Sequence, residues 1–159
     1  MTNQEFTHLS PEGKPKMVDV SAKNSSLRKA KAEAVVNPGP EILRHFRNDD
    51  IVTKKGPVFQ TAIIAGVMAA KRTSELIPFC HPLALEDCQL NIILEGDRIV
   101  IESEVVMTGK TGVEMEALTA VTIAALTVYD MCKALSHDIV IEQIRLKEKT
   151  GGKQDFKRA

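Results

Sequence analysis

The most apolar stretch of the chain runs from Gly109 to Lys133 and predicts a long helix. Between its ends nearly every residue is apolar or small, which is typical of a helix buried on all sides rather than of an amphipathic surface helix. Charged residues stand at both ends, with Glu114 and Glu116 near the start and Asp130 near the finish. We do not attribute these charges to solubility, and we expect each end of the helix to face a polar site.

The spacing of these charges limits how they can act together. Asp130 and Lys133 share one helix face, so their side chains can touch, either as a proton-transfer couple or as an ordinary ion pair worth roughly a few tenths of a kcal/mol. Glu116 and Asp130 are 14 residues apart, or about 21 Å along a helix. Either a long ligand spans this distance or the two ends belong to different sites that another subunit completes, and we favour the second.

Alternating positions predict the strands of a sheet. From Ser26 to Val36 every second residue is small or apolar except Arg28, and this period of two indicates a strand with one buried face. Arg28 is then either a strand-end residue in solvent or a site residue. A hairpin with a two-residue turn and a final strand follow later in the chain; they occupy Leu90–Leu94, Gly96-Asp97, Arg98–Val106 and Ile139–Lys147.

Two further helices are expected between the first strand and the hairpin. A breaker cluster, Asn37-Pro-Gly-Pro40, precedes a short helix that we extend to about Asn48. Pro57 suits the first turn of a second helix, whose apolar stripe includes Gly66 and permits close packing. The complete order of elements predicts an α+β fold, in which an antiparallel sheet carries helices packed on one face.

Length and composition bound the class of protein. A chain of 159 residues with 43% hydrophobic residues fits one folded domain; we assign 1–16 to a flexible arm, 17–152 to the domain and 153–159 to a polar tail. A net charge of zero argues against nucleic acid or an anionic membrane as partners. We find no signal-peptide core or membrane-length apolar run, and three cysteines without disulfide or metal spacing fit the cytoplasm.

Several familiar motifs can be set aside. The turn GKTG (109–112) lacks the upstream glycine of a P-loop, and the four histidines show no metal-ligand spacing. His81 lies in a proline-bracketed loop, where it is either a backbone-bonded loop residue or a site residue. Its neighbour Cys80 would point away from it on an extended chain, which weakens a Cys–His nucleophile pair.

The remaining polar residues favour an anionic substrate. Basic side chains at turns and helix ends suit phosphate groups, and a lysine beside an aspartate suits proton transfer. The basic residues concerned are Arg28, Lys55, Lys71, Lys110, Lys133 and Lys153.

Five long and uncommon motifs together resemble one known family. They are MVDVS (17–21), TAIIAGVMAAKRT (61–73), LIPFCHPL (76–83), TGKTGVEMEALTA (108–120) and YDMCKA (129–134). On these motifs the chain resembles the cyclic pyranopterin monophosphate synthases, the MoaC family of molybdenum cofactor biosynthesis. The resemblance extends over nearly the whole chain, from about Met17 to Gly152.

The resemblance implies a fold, a reaction and an assembly. The fold would be ferredoxin-like, and the domain 17–152 would be catalytic. The reaction, that of a lyase, would convert 3′,8-cyclo-7,8-dihydroguanosine 5′-triphosphate into cyclic pyranopterin monophosphate with release of pyrophosphate, by general acid–base catalysis. No cofactor would be required, although magnesium could accompany the triphosphate. The assembly would be a homo-hexamer, a trimer of dimers, with sites at the dimer interface.

The motifs also carry residue roles. Asp130 and Lys133 correspond to the family's catalytic pair, and Lys55 to its other catalytic lysine. One lysine would act as general acid, while Asp130 would position Lys133 and tune its pKa. The alternative is a non-catalytic nucleotide-binding oligomer, against which the intact pair argues. The residues expected to contact substrate are Phe79, Cys80, His81, Met115 and Glu116, with Glu114, Arg28 and Lys71 as further candidates.

Overall fold

The computed structural model describes residues 10–159. The predicted arm, 1–16, falls mostly on residues 1–9, which lie outside the described part of the chain. The elements, in chain order, are β1 (Ser26–Asn37), α1 (Pro40–Leu43), β2 (Phe46–Arg47), β3 (Asp50–Thr53), β4 (Gly56–Pro57), α2 (Val58–Ala70), α3 (Thr73–Leu76), β5 (Asp87–Glu95), β6 (Arg98–Gly109), α4 (Glu114–Cys132), β7 (Val140–Thr150) and β8 (Phe156–Lys157).

The main sheet has five strands in the order β5-β6-β1-β7-β8, and all neighbouring pairs are antiparallel. Apart from the edge strand β8, the sheet is built by the sequence β1-α2-β5-β6-α4-β7. Two β-α-β units are thus interleaved, which is the split arrangement of a ferredoxin-like fold. The predicted α+β class and the ferredoxin-like fold are confirmed.

The core lies between one face of the sheet and the two long helices. Ala30, Ala32 and Ala34 of β1 are buried on this face, where their small side chains leave room for α4. The helices α2 and α4 also lie close together at Gly66, where an added Cβ would be 2.9 Å from the carbonyl oxygen of Ala120. The predicted close packing at Gly66 is therefore present.

The other face of the sheet carries charged side chains instead of helices. Glu33 is buried there, 6% exposed. Its carboxylate accepts hydrogen bonds from Arg145 at 2.8 Å and from Lys147 at 3.1 Å. Glu104 lies between Lys29 and Lys31, at 2.7 and 3.1 Å. All long helices therefore pack on one face of the sheet, as the sequence predicts.

The helix predicted to continue to about Asn48 is wrong in length. It ends at Leu43, and two short hairpins, β2–β3 and β3–β4, follow it. Asn48 and Asp49 have φ of 50° and 61°, the left-handed conformation of a tight two-residue turn, which stops any helix. Lys55 lies in the two-residue loop between β3 and β4, just before α2 begins.

The prediction that the long helix is buried on all sides is also wrong for the single chain. Met115 and Leu126 of α4 are 38% and 50% exposed, because no second layer formed by residues 10–159 covers the outer side of the helices. By length and hydropathy alone α4 could cross a membrane, but 56% of that stretch is buried inside the fold. It is therefore built as a core helix with one uncovered apolar side.

Candidate active site

Three predicted catalytic residues meet at the end of α4. The Lys133 ammonium lies 2.7 Å from Oδ1 of Asp130, one helical turn away. The Lys55 ammonium lies 3.0 Å from Oδ2 of Asp130 and 3.0 Å from its backbone carbonyl oxygen. We call these three residues the Asp130 cluster. The structure thus brings together two residues that spacing predicts and one, Lys55, that joins from a distant hairpin.

The two lysines determine the charge state of the Asp130 cluster. Hydrogen bonds from Lys133 and Lys55 hold the pKa of Asp130 below its ordinary value. Asp130 in turn raises the pKa of Lys133. All three side chains are about half exposed, so solvent screens these interactions. At neutral pH the cluster contains one carboxylate and two ammonium groups, so it can both attract an anion and donate a proton.

A second group of candidates surrounds two adjoining cavities at the start of α4. The first has a volume of about 500 Å³, and Phe79, Cys80, His81, Met115 and Glu116 line it. The second has a volume of about 550 Å³, and its lining includes Glu114 and six basic residues. Those basic residues are Lys23, Arg28, Lys29, Lys110, Lys149 and Lys153.

The two glutamates of the first turn of α4 differ in their surroundings. Glu114 pairs with Lys149 at 3.0 Å. Glu116 is 3% exposed and has no ion-pair partner among residues 10–159. Burial raises its pKa to about 7, helped by the charge of Glu114 and opposed by a bond from its own backbone N–H. Near neutral pH Glu116 can therefore hold or release a proton inside the cavity. Glu114 instead forms an ion pair with Lys149.

This difference predicts a pH-dependent stability that Glu116→Gln removes. The folded protein keeps the Glu116 proton up to a pKa of about 7, whereas the ordinary value is 4.5, so the folded state loses stability as pH rises between these values. Between about pH 5 and about pH 8, the free energy of unfolding of Glu116→Gln should therefore rise relative to that of wild type by roughly 2–3 kcal/mol. Urea unfolding at fixed protein concentration measures this; parallel stability curves would contradict it.

Cys80 and His81 take different parts in the first cavity. Burial, with a contribution from the charge of Glu116, raises the pKa of the Cys80 thiol, so Cys80 is suited to a cavity wall and not to a nucleophile. The Nε2 atom of His81 lies 2.8 Å from the carbonyl oxygen of Val18. Because a carbonyl only accepts, Nε2 carries a hydrogen there and the ring is fixed in orientation. The first alternative for His81, a backbone-bonded loop residue, is therefore present. His81 also lines the cavity, and its role as a site residue stays a prediction.

The predicted site residues thus form two groups at opposite ends of α4. Arg28 belongs to the cavity group, where its Nε donates to the carbonyl oxygen of Gly109 at 3.3 Å. Lys71 lines neither cavity; its charge instead acts on the thiol of Cys88, opposing the rise in pKa to about 11 that burial causes. The sequence alone did not indicate Lys23, Lys29 or Lys149 as cavity residues, because a single lysine in a strand or a loop gives no periodic signal.

The described residues, 10–159, contain no group of three His, Cys, Asp or Glu side chains placed to hold a metal ion. The geometry defines a class: a ferredoxin-like α+β protein with a cation-lined cavity at one end of its central helix and a lysine-flanked aspartate at the other. Such a protein is equipped to bind a phosphorylated molecule and to transfer protons.

Comparison with known proteins identifies the family. The sequence model of the MoaC family matches residues 17–152. Molybdenum cofactor biosynthesis protein 1 of Dictyostelium discoideum is 46% identical over an alignment 171 residues long. The alignment covers 96% of this chain and 27% of that protein. The chain belongs to the MoaC family, and it spans about a quarter of the length of this curated relative.

Proposed function

We propose that the chain is a cyclic pyranopterin monophosphate synthase of molybdenum cofactor biosynthesis, a lyase that acts on 3′,8-cyclo-7,8-dihydroguanosine 5′-triphosphate and releases pyrophosphate. Membership of the MoaC family supports the reaction, and the name of the Dictyostelium relative supports the pathway. The structural observation that carries the proposal is Asp130 held between two ammonium groups, because acid–base catalysis needs a proton donor of defined charge and position.

The cation-lined cavity suits the phosphate chemistry of this reaction. The substrate has three phosphoryl groups and the product one cyclic phosphate. A hydroxyl oxygen of the substrate must therefore lose its proton and form a bond to the α-phosphorus, while the bond to the β-phosphate breaks and pyrophosphate leaves with its negative charge. Six basic residues line the cavity together with the single carboxylate of Glu114, and one of them, Lys29, also pairs with Glu104 at 2.7 Å. They would bind the triphosphate and stabilise the departing pyrophosphate. Magnesium enters this proposal only as a companion of the triphosphate, and no other cofactor is proposed.

The Asp130 cluster suits the proton transfers. Asp130 raises the pKa of Lys133, so this side chain carries its proton at neutral pH, and any displacement of the Asp130 carboxylate by substrate would make the ammonium a stronger acid. Asp130 orients the Lys133 ammonium through the 2.7 Å contact, and Lys55 holds the opposite oxygen of the same carboxylate. In the proposal a lysine of the cluster donates a proton as the purine-derived ring opens and the pyranopterin forms.

We also propose that a second copy of the chain completes the site. Along α4 the cavity and the Asp130 cluster are separated by about 21 Å, which is too far for both to reach one reacting centre. The outer side of the helices also carries exposed apolar residues that a partner would cover; they are Ile64 and Met68 of α2 and Met115 and Leu126 of α4. The proposed assembly is a hexamer, a trimer of dimers, with two sites in each dimer.

The proposed compartment is the cytoplasm. All three cysteines lie in the described part of the chain and none is in a disulfide, which suits a reducing environment. The only partners proposed besides the substrate are further copies of this chain, and no role with nucleic acid or membrane is proposed.

Pyrophosphate release from the purified protein, supplied with the cyclic dihydro-GTP substrate, tests the proposed function. We expect turnover by wild type and none by Asp130→Asn, with circular dichroism unchanged between the two. Binding of the substrate by wild type without pyrophosphate release would overturn the proposal and favour the alternative, a non-catalytic nucleotide-binding oligomer.

A further inference from the structure

Asp50 is a buried carboxylate that the proposed reaction does not use. Its exposed fraction is 9%, and no basic side chain pairs with it among residues 10–159. The carboxylate instead accepts hydrogen bonds from three backbone N–H groups: from Ile51 at 2.6 Å and Phe59 at 2.7 Å on Oδ1, and from Gln60 at 3.4 Å on Oδ2. A buried carboxylate that accepts hydrogen bonds from backbone N–H groups fixes the conformation of the backbone segments that carry them.

Two of these N–H groups belong to the first turn of α2. The residue at the N-cap of α2 is Pro57, which gives no side-chain cap. Asp50 supplies that cap from β3, and its negative charge is favourable at the positive end of the helix. The carboxylate therefore joins the start of the β3–β4 hairpin to the start of α2.

This hairpin carries Lys55. Its strands β3 and β4 pair through only two residue pairs, too few to be stable alone. The tip is closed by Thr53, whose Oγ1 donates to the carbonyl oxygen of Gly56 at 3.3 Å and accepts from the Lys55 N–H at 3.2 Å. The base is held by Asp50. Lys55 thus projects from a small loop that is fixed at both ends.

The charge of Asp50 also acts on the last turn of α4. This charge adds to burial in raising the pKa of the Cys132 thiol to about 11, and Cys132 is the neighbour of Lys133. From these contacts we infer that Asp50 is a positioning residue, which caps α2 from within the β3–β4 hairpin and so holds the Lys55 ammonium against Asp130. Only the consequence for turnover rests on the proposed function.

The pKa of Asp130 reports this position directly. Lys133 and then Lys55 lower it through hydrogen bonds, so a displaced Lys55 must let it rise. We expect a carbon-13 carboxyl NMR titration of Asp50→Ala to show the Asp130 pKa raised towards the value in Lys55→Ala. Asp50→Asn keeps one acceptor oxygen, so its shift should be smaller and in the same direction.

Glu33→Gln is the matched control. Glu33 is also a buried carboxylate, but it bonds Arg145 and Lys147 on the opposite face of the sheet. The Glu33→Gln substitution should lower the melting temperature without changing the pKa of Asp130. An Asp50→Ala protein that is less stable but has the wild-type Asp130 pKa would overturn the inference. If Asp50→Ala does not fold, the absence of any shift in Asp50→Asn would do so.

Turnover separates this inference from the proposed function. If the synthase activity is present, Asp50→Ala should lower kcat by about 10- to 100-fold, because a displacement of about 1 Å in a catalytic group costs that much. Asp50→Asn should recover part of the loss, and Glu33→Gln should leave kcat unchanged. If Asp50→Ala raises the Asp130 pKa but the wild type shows no synthase activity, the inference stands and the proposed function is rejected. If the wild type is active and Asp50→Ala lowers kcat without changing the Asp130 pKa, the proposed function stands and the inference is rejected.

Discussion

Lys133→Ala is expected to lower kcat for pyrophosphate release by about 100- to 10,000-fold, the usual contribution of a general acid. Because Lys133 is about half exposed and its pair with Asp130 is solvated, the substitution should cost little stability. Lys55→Ala should also lower kcat, since it leaves Asp130 with one cation instead of two. The measurement is kcat under saturating substrate, together with the melting temperature of each variant.

Lys31→Ala is the matched control for the loss of a paired lysine. Glu104 lies between Lys29 and Lys31 as Asp130 lies between its two lysines, but on the open face of the sheet, so kcat should not change. Lys133→Arg separates charge from proton transfer, because a guanidinium keeps the ion pair and does not give up its proton. Near-normal turnover by Lys133→Ala would contradict the general-acid role, and full activity in Lys133→Arg would leave Lys133 as an electrostatic anchor.

The parts of the fold that the sequence predicts are those determined by local patterns. The alternation in β1, the hairpin turn at Gly96-Asp97 and the apolar run of α4 each lie within one segment, so their elements are where the sequence indicates. The small hairpins β2–β3 and β3–β4 are different. Their strands are too short for a period, and they depend on contacts with α2, such as that of Phe46 with Phe59, whose ring centroids are 6.0 Å apart.

The wrong expectation for α4 has a different cause. Composition shows that a helix is apolar on every side, but it does not show whether the same chain covers every side. In this fold the sheet covers one side and α2 another, and Leu126 and Met115 remain exposed. Excess apolar surface on a core helix is thus a sequence signal for a partner, which the proposed assembly would supply.

The candidate site could be predicted only in part. The contact between Asp130 and Lys133 follows from helical spacing and is present. Lys55 lies 75 residues from Asp130, and only the resemblance to the MoaC family indicated a catalytic role for it beside Asp130. Lys23 and Lys149 converge on one cavity from opposite ends of the chain, which no local pattern reveals. The catalytic and binding roles of all these residues stay predictions until the variants are measured.

Mixing two inactive variants is expected to restore activity if each site is shared between two chains. One variant is Lys133→Ala, which damages the Asp130 cluster; the other is Arg28→Ala with Lys149→Ala, which removes two cations from the cavity. In a mixed dimer both lesions fall in one site and the second site is intact. After the two proteins are unfolded and refolded together in equal amounts, half of the dimers are mixed, so about a quarter of wild-type activity should return in a two-fold symmetric dimer.

The control is a mixture of Lys133→Ala with Lys55→Ala. Both lesions lie in the Asp130 cluster, so every site in every dimer contains one of them and no activity should return. Restoration in the first mixture alone would mean that the cavity of one chain works with the cluster of its partner, as we propose from their separation along α4. If neither mixture recovers activity although size-exclusion chromatography shows mixed oligomers, the two groups do not form one shared site. The cavity and the Asp130 cluster would then have to serve separate steps or separate ligands within each chain.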